Sequence, residues 1–153
     1  MQKVRVLHVF GKMDRGGAET LIMNVFRNID REKFQFDFLV HSQQEGHYDQ
    51  EIKELGGNIY SVPHPRKSIL QYKKELKKIL REKGSYDVIH SHVFTFSGCV
   101  LKIAKDEGIP VRIAHSHSTQ KGHPSGFVRN IYKGYMRKLI LKNATNLIGC
   151  SKE

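Results

Sequence analysis

Acidic residues are scarce in this chain, and so are cysteines and long apolar runs. Of 153 residues, 15 are Asp or Glu against 26 Lys or Arg, a net charge of +11. Such a surplus calls for an anionic partner, whether nucleic acid, a membrane surface or a phosphorylated ligand. The basic residues are dispersed over several segments and no nucleic-acid-reading module accompanies them, so no nucleic-acid partner is expected. Two cysteines, Cys99 and Cys150, exclude a disulfide framework. Both lie in apolar surroundings and read as reduced core thiols of a cytosolic protein. No stretch of about 18 uncharged apolar residues occurs, so no segment reads as a transmembrane helix. Met1-Gln2-Lys3, leading into a strand pattern with Arg5, does not resemble a secretory signal. In a cytosolic chain the sequon Asn143-Ala144-Thr145 carries no weight.

What is present is an ordinary globular composition, 39% hydrophobic and 27% charged, in a length suited to one domain. Strand and helix patterns alternate along it. Lys3 to Phe10 is a near-continuous apolar run, fit for a strand buried on both faces. A helix follows, with Leu21, Ile22, Val25 and Phe26 at helical spacing. Phe34 to Val40 reads as strand two, His41 to His47 as a loop, and Tyr48 to Leu55 as a short helix that Gly56-Gly57 ends. Asn58 to Val62 is a brief third strand. Ser68 and Gln71 form a capping-box pattern ahead of the stripe Ile69, Tyr72, Leu76, Ile79 and Leu80, and Gly84 stops that helix. Its lysines and arginines read as a solvated face, which adds attraction to an anionic membrane surface. Strand four is Asp87 to His90, then a helix from Thr95 to Asp106, and strand five is Val111 to His115. Thr119 to Gly126 reads as a mobile polar loop. Phe127 to Asn143 is a long helix with Phe127, Ile131, Tyr135, Leu139 and Ile140 on one side, and Asn146 to Cys150 is a sixth strand. This alternation predicts an α/β fold, a doubly wound and mostly parallel sheet with helices on both faces.

The strand order expected of such a Rossmann-like sheet, 3-2-1-4-5-6, puts its ligand crevice between strands one and four. Gly11 to Glu19, G-K-M-D-R-G-G-A-E, leaves strand one there. A strand, a glycine turn and a helix start are suited to an anion, because glycine permits close backbone approach and the helix start offers unpaired N–H groups. The spacing is neither G-x-G-x-x-G nor a Walker A motif. His92 leaves strand four and His117 leaves strand five at the same edge. His90-Ser91-His92 and His115-Ser116-His117 are H-x-H pairs, and residues i and i+2 of a strand share a face, so each pair has the spacing to grip a metal ion. No carboxylate follows His92 before Asp106, or His117 before Glu153, so no metal is expected.

Four segments in order carry a resemblance: R-G-G-A-E-T after strand one, D-V-I-H-S-H at strand four, V-R-I-A-H-S-H-S at strand five and N-L-I-G-C-S at strand six. Together they resemble the N-terminal, acceptor-side domain of family-4 retaining glycosyltransferases of the two-Rossmann-domain (GT-B) architecture. More narrowly, the chain is similar to bacterial enzymes of capsular and exopolysaccharide synthesis. The resemblance implies sugar transfer from a nucleotide-sugar donor to a saccharide acceptor, lipid-linked at the inner membrane face, with no cofactor or metal and with retention at the anomeric carbon. It matches Gly16 and Gly17 to the loop that approaches the donor diphosphate and reacting sugar. It matches His92 to a histidine that faces the donor sugar and helps position it in the transition state. His117, with His115 beside it, falls at the cleft rim as an acceptor or donor contact. In the family the leaving phosphate takes the acceptor's proton, so a missing general-base carboxylate is tolerable. Most of the family's nucleotide grip, with its E-x7-E motif, lies in a second Rossmann domain. Residues 1–153 are therefore expected to be the first part of a longer enzyme, inactive alone. Two other readings are a non-catalytic nucleotide- or phosphate-binding module and an H-x-H metal-dependent hydrolase. Val40-His41-Ser42 at the end of strand two lacks the acid a dinucleotide binder places there.

Overall fold

The computed structural model describes residues 2–117 and 126–150. Its strands are β1 (Val4–Phe10), β2 (Phe34–Val40), β3 (Ile59–Ser61), β4 (Val88–Ser91), β5 (Val111–Ser116) and β6 (Asn146–Gly149). The helices are α1 (Gly17–Asn28), α2 (Asp49–Glu54), α3 (Ile69–Glu82), α4 (Ser97–Asp106) and α5 (Phe127–Asn143). All strand pairings are parallel, in the order β3-β2-β1-β4-β5-β6. This is the expected Rossmann-like order, and its reversal between β1 and β4 opens a crevice at the strands' carboxyl ends.

Both faces of β1 are buried, as its apolar run demands. Leu7, Val9, Leu39, Ile89 and Ala114 face α3, α4 and α5 through Tyr72, Leu76, Leu80, Val100, Leu101 and Met136. Val6, Phe10, Phe36, Phe38 and Val40 face α1 and α2 through Ile22, Met23, Phe26 and Ile52. Helix α3 starts where the capping pattern places it, with the Ser68 hydroxyl accepting the Gln71 N–H at 3.2 Å. It ends at Lys83, before Gly84 with φ +103°.

The Asp37 side chain is completely buried in this core. The Asp37 carboxylate on β2 accepts hydrogen bonds from Arg5, Gln35, Asn58 (backbone and side chain) and Tyr86, at 2.8–3.1 Å. Burial alone would raise its pKa, but the bonds from Gln35, Asn58 and Tyr86 prevail and hold it below the usual carboxylate value.

Three expectations need correction. The fourth helix does not begin at Thr95, because a single 3-10 turn, Phe94–Phe96, precedes α4. Cys99 is buried but Cys150 is exposed, since β6 is an edge strand solvated along its length. The apolar side expected of α5 is largely uncovered, with Phe127, Ile131 and Tyr135 exposed by 80%, 58% and 57%. Only the C-terminal half of α5 packs on the core, through Met136, Leu139 and Ile140. The loop expected over residues 119–126 lies outside the described residues save Gly126.

Candidate functional site

The glycine loop leaves β1 at the crevice. Gly16 is the N-cap of α1, with extended backbone angles and no side-chain cap. The space a Cβ on Gly16 would take is filled by the carboxylate of Glu19, which folds back over the start of its own helix. A negative group at that position is favoured by the helix dipole and the unpaired first-turn N–H groups. The loop's basic side chains are tied down: Lys12 pairs with Asp14 at 3.2 Å, and Arg15 donates to His47 at 2.9 Å. The His47 N–H to Asp14, 2.9 Å, clamps the loop to the segment before α2. Neither cation is aimed freely into the crevice.

Opposite the loop lies a row of five histidines on one face of β1, β4 and β5. His8 Nδ1 is 3.2 Å from His92 Nε2, and His92 Nδ1 is 2.7 Å from His117 Nε2. His90 Nε2 is 3.1 Å from His115 Nδ1. The His92 ring lies flat on Phe10, with centroids 4.1 Å apart and planes 5° apart. Burial, reinforced by the neighbouring imidazoles, lowers the pKa of His8, His90 and His92, that of His90 to about 3. Burial likewise lowers those of His115 and His117. At neutral pH the row is uncharged.

The crevice encloses about 870 Å³. Phe10, Gly11, Glu19 and His92 form one side of it, and His41, Arg66, Phe94, Arg129 and Lys133 approach from the others. A smaller recess of about 490 Å³ continues past Phe94 along Thr95, His115 and Arg137. Phe94 stands between the two in a left-handed conformation, φ 49°, with 55% of its surface exposed. An exposed aromatic residue held in this strained region at a cleft mouth is a functional-site signal. His41, whose Nε2 is 2.8 Å from the Tyr72 hydroxyl, has its pKa lowered to about 4, by burial and then by His64.

Of the residues singled out in the sequence, His92 lies on the crevice wall, but both its ring nitrogens face other histidines. His115 lines the smaller recess, and His117 is half-buried against His92 and Cys150, its Nδ1 3.6 Å from the sulfur. Gly16 and Gly17 stand at the helix start behind Gly11 and Glu19. His8, His41 and Phe94 escaped notice. The signal for His8 was a polar residue inside an otherwise apolar strand, on the same parity as Phe10.

A family model described as Glycosyltransferase Family 4 matches residues 15–153. The chain belongs to that family. It is 37% identical over 150 residues to the protein named "Putative glycosyltransferase EpsF" of Bacillus subtilis (strain 168), covering 97% of this chain and 39% of that one. It is 29% identical over 117 residues to "Capsular polysaccharide biosynthesis glycosyltransferase CapH" of Staphylococcus aureus, covering 76% of this chain and 32% of that one. The matches thus span about a third to two-fifths of the length of these two relatives. Among solved structures, Phytolacca americana UGT2, complexed with UDP-2fluoro-glucose and pterostilbene, matches with a TM-score of 0.50 at 12% identity. That match covers 78% of this chain and 31% of that one, and it speaks to the fold alone.

Proposed function

We propose that this family-4 domain is the acceptor-side half of a retaining glycosyltransferase of cell-surface polysaccharide synthesis. The reading rests on the crevice at the β1/β4 reversal, walled by a glycine loop, a neutral histidine row and a mixed aromatic and cationic rim. The donor is a nucleotide-sugar, and Gly16 and Gly17 let its diphosphate approach the start of α1. For that to happen Glu19 must swing off the helix end, so the carboxylate acts as a place-holder that the donor displaces. His92 positions the reacting sugar. Because its Nδ1 is engaged by His117, a hydrogen bond to a sugar hydroxyl requires His117, the more exposed partner, to give way. Phe94 offers an aromatic face for a sugar ring of the acceptor, and Arg66, Arg129 and Lys133 suit an acceptor with an anionic lipid-diphosphate end. The rest of the nucleotide grip belongs to a second domain of a longer enzyme.

No helix among the described residues is long and apolar enough to cross a membrane. Peripheral contact with an anionic inner membrane face falls to the exposed lysines of α3, Lys73, Lys74 and Lys78, on the side away from its buried stripe.

The test is a nucleotide-diphosphate release assay on the longer enzyme with a panel of UDP-, GDP- and TDP-hexoses and lipid-linked saccharide acceptors. Acceptor-dependent release with an α-linked product from an α-linked donor is the expected result. Release by residues 1–153 alone would reject the half-cleft, and no release with any pair would reject the reaction.

A further inference from the structure

A row of five neutral imidazoles that touch one another is more than sugar recognition needs. One ring nitrogen from each of His92, His115 and His117 lies within 4.8 Å of those of the other two, and the same holds for His8, His90 and His92. We propose that His92, His115 and His117 form a binding site for a divalent transition-metal ion of the zinc class. The argument has four parts.

The first is spacing. Nitrogens bound to one zinc at 2.0–2.1 Å in tetrahedral geometry lie about 3.3–3.4 Å apart. The His92 and His117 nitrogens are 2.7 Å apart, so an ion has only to part them by a small side-chain movement. The second is donor chemistry. The cluster holds imidazole only, which suits zinc, copper, nickel and cobalt and disfavours magnesium, calcium and manganese.

The third is the outer shell. A metal-bound histidine usually donates its other N–H to a fixed partner. His92 Nε2 has His8 Nδ1 at 3.2 Å, His115 Nδ1 has His90 Nε2 at 3.1 Å, and His117 Nδ1 has Cys150 Sγ at 3.6 Å. With protons on those outward nitrogens, the remaining ring nitrogens, His92 Nδ1, His115 Nε2 and His117 Nε2, are left unprotonated and able to bind an ion. The cost falls on His8, whose buried Nε2 has no polar partner among the described residues and lies among the Phe36 and Phe38 rings. The fourth is placement. His92 follows β4 and His115 lies within β5, paired strands, so the ligand backbones are fixed by the sheet. The half-buried His117 provides the entry side. Of the two triads the outer one is favoured, because His8 is sealed in the core.

The ion would take His92 Nδ1, the nitrogen assigned above to the sugar, so the two occupancies exclude each other. The readouts follow the metal alone and do not depend on sugar transfer. The chain is stripped of metal and titrated with cobalt(II) while its visible spectrum is followed, then with zinc while its thermal unfolding is followed. Expected are one equivalent of cobalt with d–d bands displaced by zinc, and a Tm rise of about 5–10 °C at a hundredfold excess over Kd. His117→Ala, at a half-buried position, weakens binding at least tenfold, whereas His64→Ala, outside the cluster, leaves it unchanged. Absence of cobalt bands and of a zinc-dependent Tm shift in the unaltered chain would overturn the proposal. So would affinity unchanged in both His117→Ala and His115→Ala, or an equal response to magnesium.

Discussion

Replacing Gly17 by alanine separates a turn that merely starts a helix from a loop built to meet a ligand. Gly17 is the first residue of α1, and a Cβ added there meets nothing within 4 Å. The change therefore removes unfolded-state entropy at no steric cost, stabilising by about 0.4–1 kcal/mol and raising Tm by roughly 1–4 °C. Gly16→Ala differs in one respect: its φ of −104° and ψ of 166° suit alanine, but the new methyl must displace the Glu19 carboxylate. That obstacle is the end of a flexible chain, and the fold should tolerate it with a Tm within about 2 °C of the parent. If the donor diphosphate lies against this backbone, either methyl intrudes on it. Donor-dependent turnover in the longer enzyme should then fall at least tenfold, about 1.4 kcal/mol of transition-state stabilisation. Differential scanning fluorimetry paired with nucleotide-diphosphate release reads both effects. Full activity in both variants, at raised or unchanged Tm, would refute the close approach and leave the loop a simple helix start.

Asp37→Ala leaves Arg5 and Tyr86 without the carboxylate they share and should cost about 3–5 kcal/mol in urea unfolding. A loss under 1 kcal/mol would mean the cluster is not coupled. Acid should weaken the fold through His41, which packs against Tyr72, Phe96 and His64. Its folded pKa, about 4, is below the usual value near 6.5, so its contribution is complete above pH 6.5 and is lost as pH falls towards 4. The loss is on the order of 3 kcal/mol by pH 4, and His41→Gln should flatten that part of the pH–stability curve. Phe94→Ala should leave Tm nearly unchanged, since the ring is exposed and its backbone strained, while raising the acceptor KM several-fold with little change in donor KM. Equal acceptor KM would remove Phe94 from the acceptor path.

The architecture was legible because each strand announces itself by an apolar run, and the sheet order follows from alternation and handedness. The crevice was legible for the same reason, since Gly11, His92 and His117 all follow strands whose ends must lie together. What escaped notice depends on register and conformation. His8 joins the histidine row only because β1 pairs with β4 so that His8 stands beside His90. The fold-back of Glu19 and the positive φ of Phe94 are properties of turns that no periodicity encodes. The stripe on α5 misled, because its spacing says which residues share a side and not whether another element covers that side. Cys150 misled likewise, since an apolar neighbourhood in sequence became a solvated edge strand.

The buried carboxylate of Asp37 also bears on the order in which the chain assembles. Arg5, Gln35 and Asn58 all precede residue 60, so β1, β2 and β3 with α1 and α2 can gather most of its donors as the N-terminal half emerges. Tyr86 comes later, just ahead of β4, and closes the set. Until it does, the face of β1 and β2 that bears Leu7, Val9 and Leu39 has α3 but not α4 to cover it, because α4 follows Tyr86 in the chain. A nascent chain stalled before Tyr86 therefore combines an unfinished polar clasp with an apolar sheet face that is only partly covered. That interval is when the protein is most exposed to misassociation, and it ends once Tyr86 and then α4 have emerged.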